Sequence, residues 1–149
     1  MTEELIGLLK DIRSIYADLN DLERNLKYMN KTTVSFEKDV SFLCEQLNVD
    51  SIELIEILRN LRNSQESVIF ETKSTQLFSL NLIETVQEYV RSGNITRDEV
   101  SDLKLNIKTL RDKTNNATFA TREVLNKLKE FDSLYQSIIG DYYNPAVTK

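Results

Sequence analysis

The side chains that most often carry enzyme chemistry are scarce in this sequence of 149 residues. It has no histidine and a single cysteine, Cys44, which excludes Ser-His-Asp triads, His-ligated zinc and a His-activated thiol. Three isolated glycines cannot form a phosphate-binding loop, and a di-metal carboxylate bundle would need a Glu-x-x-His motif, which is absent. The acidic pairs Glu3/Glu4 and Asp98/Glu99 are predicted in first helical turns, where the helix dipole favours carboxylates. We therefore predict a protein that is not an enzyme, with no metal, no cofactor and no small-molecule substrate.

One short segment contains a residue that could carry a covalent group. Residues 47–52, Leu-Asn-Val-Asp-Ser-Ile, followed by Glu-Leu-Ile-Glu, resemble the phosphopantetheine-attachment motif of acyl carrier proteins. The resemblance implies a short four-helix fold in which Ser51 carries the prosthetic arm. The segment departs from the family pattern at Asn48, where glycine is usual, and has isoleucine where leucine is commoner. The same residues predict a helix cap formed by Asp50, and we favour this interpretation because the flanking heptads are too long for the carrier fold.

The heptad pattern that surrounds this segment predicts three long helices. Apolar residues recur at two heptad positions from Leu5 to Leu47, as they do in helices that pack side by side. We predict helices over residues 3–47, 51–92 and from about 97 to 140. Poor helix formers follow one another at Asn30–Thr33, which leaves a break in the first helix as an alternative. We favour a continuous helix because the heptad keeps its phase through this point.

Two short turns are predicted between the helices. Asp50 with Glu53, and Thr96 with Glu99, have the spacing of a capping box, and Gly93 suits the left-handed conformation that ends a helix. Turns this short place consecutive helices antiparallel. We therefore predict an all-α fold, an elongated antiparallel up-down-up three-helix bundle with coiled-coil-like heptad packing. Residues 1–140 form its single domain, and residues 141–149 form a flexible C-terminal tail.

The middle of the second and third helices has small and polar residues on the apolar stripe. These residues are Gln65, Thr72, Thr75, Ser79, Thr114, Ala117 and Thr121. Two interpretations stay open. The small side chains could set the register of the helices while Leu22, Leu26 and Met29 fill the space. Alternatively, the middle of the bundle could be a soft segment that opens or admits a partner's helix.

Apolar side chains that could bind another protein concentrate at one end of the predicted bundle. The second helix is apolar on nearly every side at its start, and a helix of that kind must be covered. The cover could be the C-terminal tail over a larger core, or it could be a partner. We predict a partner-binding surface that consists of Phe42, Ile55, Ile57, Phe131, Tyr135, Ile139 and Tyr142.

Charge and hydropathy narrow the classes of partner. The net charge is −5 and the bases alternate with acids, which disfavours nucleic acid and anionic membranes. No apolar run reaches the length of a membrane span, and the first residues lack the features of a signal peptide, so we expect a cytoplasmic protein. We predict a subunit, adaptor or scaffold that binds another protein through helical packing or self-associates as a homodimer. The alternative is a small acidic cytosolic chaperone of a secretion or flagellar export pathway that holds a helical client.

Overall fold

The computed structural model describes residues 2–48 and 50–143, the side chains of residues 141–143 excepted. Three α-helices account for nearly all of this part of the chain: α1 Thr2–Gln46, α2 Ile52–Ser92 and α3 Arg97–Tyr143. They form a three-helix bundle, which confirms the predicted fold class. The up-down-up order and the heptad packing stay predictions.

Helix α1 is continuous through the segment where a break was the alternative. Within it, the Thr32 hydroxyl donates to the carbonyl of Tyr28 at 3.1 Å, and the Thr33 hydroxyl donates to that of Met29 at 3.0 Å. These bonds satisfy hydroxyl groups that would otherwise compete with the helix for backbone partners. The helix ends before Asn48, whose φ of 55° is in the left-handed region.

The two helix starts differ in how closely they follow the predicted capping box. At α3, the amide of Glu99 donates to Thr96 Oγ1 at 3.2 Å, and the amide of Thr96 donates to Glu99 Oε1 at 3.1 Å. This reciprocal pair confirms the box. At α2, Asp50 is the capping residue, as predicted, but its Oδ1 accepts from the amide of Ile52, at 2.9 Å. The capping box predicted the amide of Glu53, one residue later, as the donor. Val49, the residue before this cap, lies outside the described residues.

Helix α3 continues past the predicted end at Gly140 to Tyr143. The rest of the predicted tail lies outside the described residues. The helices have 45, 41 and 47 residues, which does not fit the short four-helix fold that the resemblance to acyl carrier proteins implied.

The contacts of the chain divide it into two compact units, each with a segment of every helix. Unit 1 consists of the residues up to Asn25 and of Ile69–Phe119, and unit 2 consists of Leu26–Val68 and the residues from Ala120 onward. The prediction of a single domain stays a prediction.

Unit 1 has an aliphatic core. Its buried members are Leu5, Ile12, Leu19, Leu82, Val86, Leu103, Ile107 and Leu110. Two ion pairs join α1 to α3 beside this core: Lys104 Nζ lies 2.7 Å from Glu4 Oε1, and Arg111 Nη2 lies 3.2 Å from Asp11 Oδ2. The bond and charge of Lys104 hold the pKa of Glu4 below its ordinary value.

The small and polar residues on the predicted stripe are all buried, as their heptad positions predict. In unit 1, the hydroxyl of Ser79 donates to the carbonyl of Gln76 at 2.7 Å, and that of Thr114 donates to Leu110 at 2.8 Å. These side chains therefore find their partners within their own helices.

In unit 2, a buried amide finds its partners on another helix. Gln65 Nε2 donates to Thr33 Oγ1 at 2.8 Å, and Asn30 Nδ2 donates to Gln65 Oε1 at 3.3 Å. Because Gln65 and Thr33 are fully buried, these bonds offset the cost of removing the amide from water. Within unit 2, these bonds favour a single register between α2 and α1.

Candidate functional site

The candidate site is built on an aromatic cluster in unit 2. Phe36 meets Phe131 edge-on with ring centroids 5.5 Å apart, and it meets Tyr135 edge-on at 6.0 Å. Phe131 and Tyr135, one helical turn apart on α3, stack at 6.0 Å. These are the geometries that aromatic quadrupoles favour. The cluster, together with the buried Val40, Cys44, Leu54 and Leu58, forms the core of this unit.

An apolar groove lies between α2 and α3 in the same unit. We call it the Ile57 groove; it is lined by Ile57, Asn60, Leu61, Ser64, Lys127, Glu130, Phe131 and Leu134. Its volume is about 330 Å³. Ile57 and Leu134 keep 42% and 45% of their surface exposed, whereas Leu61 and Phe131 are buried, so the exposed pair lies above a buried apolar floor.

Two neighbouring hollows extend the groove because both of them include Ile57. One is lined by Asp50, Glu53, Leu54, Ile57, Leu134 and Ile138, and the other by Glu53, Glu56, Ile57 and Asn60. Together the lining residues of the three hollows extend from Asp50, just before α2, to Ser64 within it. At about 1.5 Å per helical residue, the helical part of this surface is about 20 Å long, or nearly four turns.

The charged side chains along this surface are mostly acidic. Asp50, Glu53, Glu56 and Glu130 are acids, and Lys127 is the base among the lining residues. The first two belong to the start of α2, where the cap and the dipole of the helix account for them. The other two lie beyond the first turn of their helices, so the acidic character of the groove extends past the helix start.

The residues of the predicted partner-binding surface divide into exposed and buried ones. Phe42 is 61% exposed and Ile57 lines the groove, while Ile55 and Ile139 are half-buried against the core of unit 2. Phe131 and Tyr135, predicted as contact residues, are core residues that retain 2% and 5% of their surface. Tyr142 lies in the last turn of α3, and its side chain is outside the described part of the chain.

The surface prediction missed several residues that line the groove. Leu134 is three residues after Phe131, and Asn60 and Ser64 follow Ile57 at helical spacing, so all of them belong to the same faces. The spacing i, i+3, i+4 and i+7 from Ile57 would have selected the α2 wall. The predicted surface consists of apolar and aromatic side chains, whereas this wall is partly polar at Asn60 and Ser64.

The structure also describes Cys44 and Ser51, the two residues that the sequence singled out for chemistry. Cys44 is 1% exposed, and burial, followed by the charge of Asp50, raises the pKa of its thiol. Ser51 is half-buried and immediately precedes α2. Among the side chains that the structure describes, no three His, Cys, Asp or Glu lie together as a metal-binding group.

Comparison with protein-family models, with curated proteins and with solved structures finds no match to this chain. The description of the site therefore depends on its own geometry. Within the described ranges, no helix is both long and apolar enough to cross a membrane.

Proposed function

We propose that this protein is a non-enzymatic subunit or adaptor that binds a helix of another protein in the Ile57 groove. The observation that carries the proposal is the exposed pair Ile57 and Leu134 above the buried floor of Leu61 and Phe131. Exposed apolar side chains that surround a concave surface are typical of protein-binding sites. A helix of the partner would remove this pair from water without any rearrangement of the aromatic cluster beneath it.

The dimensions of the groove favour a helical ligand over a small molecule. The surface is open, about four turns long and lined by two helices, so that a third helix can pack between them as ridges into grooves. The buried aromatic cluster gives this surface a rigid base, and rigid contact surfaces lose little side-chain entropy on binding.

The test compares two double variants that remove similar apolar surface from different units. The groove variant, Ile57→Asp with Leu134→Asp, places two charges in the groove. The control variant, Leu77→Asp with Leu105→Asp, places two charges in unit 1, at side chains that are 60% and 62% exposed. Each tagged protein is recovered from its source cells, and the copurified proteins are quantified by mass spectrometry. We expect a stoichiometric partner with the wild type and with the unit 1 variant, and at least tenfold less of it with the groove variant.

Equal recovery with both variants would contradict the proposal. Circular dichroism of each variant establishes first that the helices are intact. Light scattering across a concentration range measures self-association: a dimer lost only in the groove variant would mean that the partner is a second copy. A client that is bound and later released in folded form would favour the chaperone alternative.

A further inference from the structure

We infer that the ligand of the Ile57 groove is a basic amphipathic helix of about four turns, with lysine or arginine on both sides of its apolar stripe. The inference deepens the proposed function and rests on it. The apolar floor of the groove favours an apolar stripe on the partner, and the acidic side chains along the groove favour a partner with positive charge.

The acids lie where they would flank a helix seated between α2 and α3. Glu130 lines the groove on the α3 side, and Glu56 lines the adjoining hollow on α2 beside Ile57, while Leu61 and Phe131 form the floor of the groove. A helix with its apolar stripe on that floor would direct the residues beside the stripe toward these carboxylates. Bases at those positions would gain charge-assisted contacts, and acids there would be repelled.

The basic residues nearest to Ile57 along α2 do not neutralise the negative charge of these carboxylates. Arg59 follows Ile57 by two residues, about 200° round the helix, and so lies on the opposite side of α2. Arg62 Nη1 is 2.9 Å from Glu37 Oε2 and is committed to that partly buried pair. Lys127 remains as the base among the lining residues, against four acids.

A second copy of this chain fits the groove less well. A twofold dimer formed through this surface would bring two predominantly acidic surfaces together. Like charges in contact oppose association, so the occupant that complements the surface is a different, basic chain.

The experiment uses two fluorescein-labelled 18-residue peptides with the same leucine stripe on an alanine-rich helix. One has lysines beside the stripe and the other has glutamates at the same positions. Fluorescence anisotropy with the full-length protein measures the Kd of each peptide. We expect the lysine peptide to bind about tenfold more tightly than the glutamate peptide at low salt, and the difference to shrink as salt screens the exposed charges.

A matched pair of charge variants separates the groove from the overall charge of the protein. Glu56→Lys with Glu130→Lys should abolish or reverse the preference for the lysine peptide. Asp18→Lys with Glu84→Lys changes the net charge by the same amount at exposed sites in unit 1, and it should keep the preference. Loss of the preference in both variants would overturn the inference, because the net charge would then be the cause.

The remaining outcomes distinguish the inference from the proposed function. If both peptides bind equally and both are lost in the Ile57→Asp, Leu134→Asp variant, the groove binds helices but does not select basic ones, and the inference fails alone. If neither peptide binds, or if binding persists in that variant, the groove is not a helix-binding surface and both proposals fail.

Discussion

The two units of this chain bury their apolar side chains in different ways. Unit 1 has a core of leucine, isoleucine and valine, with Lys104–Glu4 and Arg111–Asp11 as ion pairs beside it. Unit 2 concentrates its core in three aromatic rings and keeps an open groove beside them. Unit 1 also has exposed apolar side chains, among them Leu77 and Leu105, and a hollow of its own beside Ile6 and Val90. The units therefore differ in the side chains that form their cores, and each leaves some apolar surface exposed.

Both units have an amide side chain that bonds from α2 to α1, but the two bonds differ in burial. In unit 2, the fully buried Gln65 bonds to Thr33 and Asn30. In unit 1, Gln76 Nε2 donates to Asn20 Oδ1 at 2.9 Å at a partly buried position, while the buried hydroxyls of Ser79 and Thr114 bond to their own helices. A bond between helices favours one register, and its loss costs more where the groups are fully buried.

The largest effect should come from the aromatic cluster. Phe131→Ala removes a ring that contacts both Phe36 and Tyr135, and it should lower the free energy of unfolding by about 3–5 kcal/mol. Urea denaturation measures this change, and amide hydrogen exchange shows which unit loses protection. Leu110→Ala is the matched change in the core of unit 1, and Phe70→Ala, at a side chain 69% exposed, should change stability by less than about 0.5 kcal/mol.

Exchange rates then decide whether the difference between the units extends to their unfolding. We expect Phe131→Ala to accelerate exchange mainly in unit 2, and Leu110→Ala mainly in unit 1. Equal acceleration in both units by either variant would mean that the chain unfolds as one cooperative body and that the comparison holds for packing only.

A smaller effect should come from the buried amide. Gln65→Met keeps the length of the side chain but leaves Thr33 Oγ1 and Asn30 Nδ2 without this partner, so it should cost about 1–3 kcal/mol of stability. Adding Thr33→Val should recover part of the loss, since the hydroxyl is then removed together with its partner. Ser79→Ala in unit 1, where the bond lies within one helix, should cost less than about 1 kcal/mol. Strict additivity of the Gln65 and Thr33 changes would show that their bond does not couple the helices.

The smallest effect concerns the turn between α2 and α3 in unit 1. The hydroxyl of Tyr89 donates to the carboxylate of Glu99, and this bond, with those from Thr96, holds the pKa of Glu99 below its ordinary value. A carboxyl whose pKa is lower in the folded state stabilises the fold above its unfolded-state pKa, and this contribution is lost as the pH falls through the folded-state value. Tyr89→Phe should therefore lower stability slightly at pH 7, and the difference from the wild type should shrink at acid pH, as the carboxyl becomes protonated.

Urea midpoints at neutral and at acid pH measure this effect. Tyr28→Phe, at a side chain 73% exposed, is the control and should leave the midpoint unchanged at both. A difference for Tyr89→Phe that is the same at both pH values would assign the effect to packing of the ring and not to the carboxylate.

Local signals in the sequence were sufficient for the helices and for one of the caps. The capping box of Thr96 and Glu99 needs only residues three apart, and the small stripe residues are buried at their heptad positions. The partners of Gln65 could not be predicted in this way, because they lie 32 and 35 residues away along the chain. Such a contact depends on the register between two helices. The heptad pattern does not determine this register, because a shift of one helix by seven residues brings equivalent positions together again.

The same limitation explains why the burial of Phe131 and Tyr135 could not be predicted. The start of α2 is apolar on nearly every side, so the pattern does not show which of its faces meets α3. In the structure, these two rings take the inner position with Phe36, and Leu134 takes the outer one. The sequence located the apolar end of the bundle, but the division into core and surface needed the packing of the rings.

The burial of Cys44 makes the natural chain a convenient background for site-specific labelling. Its thiol is almost inaccessible, and its raised pKa leaves little thiolate near neutral pH, so maleimide reagents should react with it slowly. A cysteine introduced at an exposed groove position, such as Asn60, can thus take a dye or spin label selectively without a cysteine-free variant. The same native thiol, once it begins to react, reports that the core of unit 2 has opened.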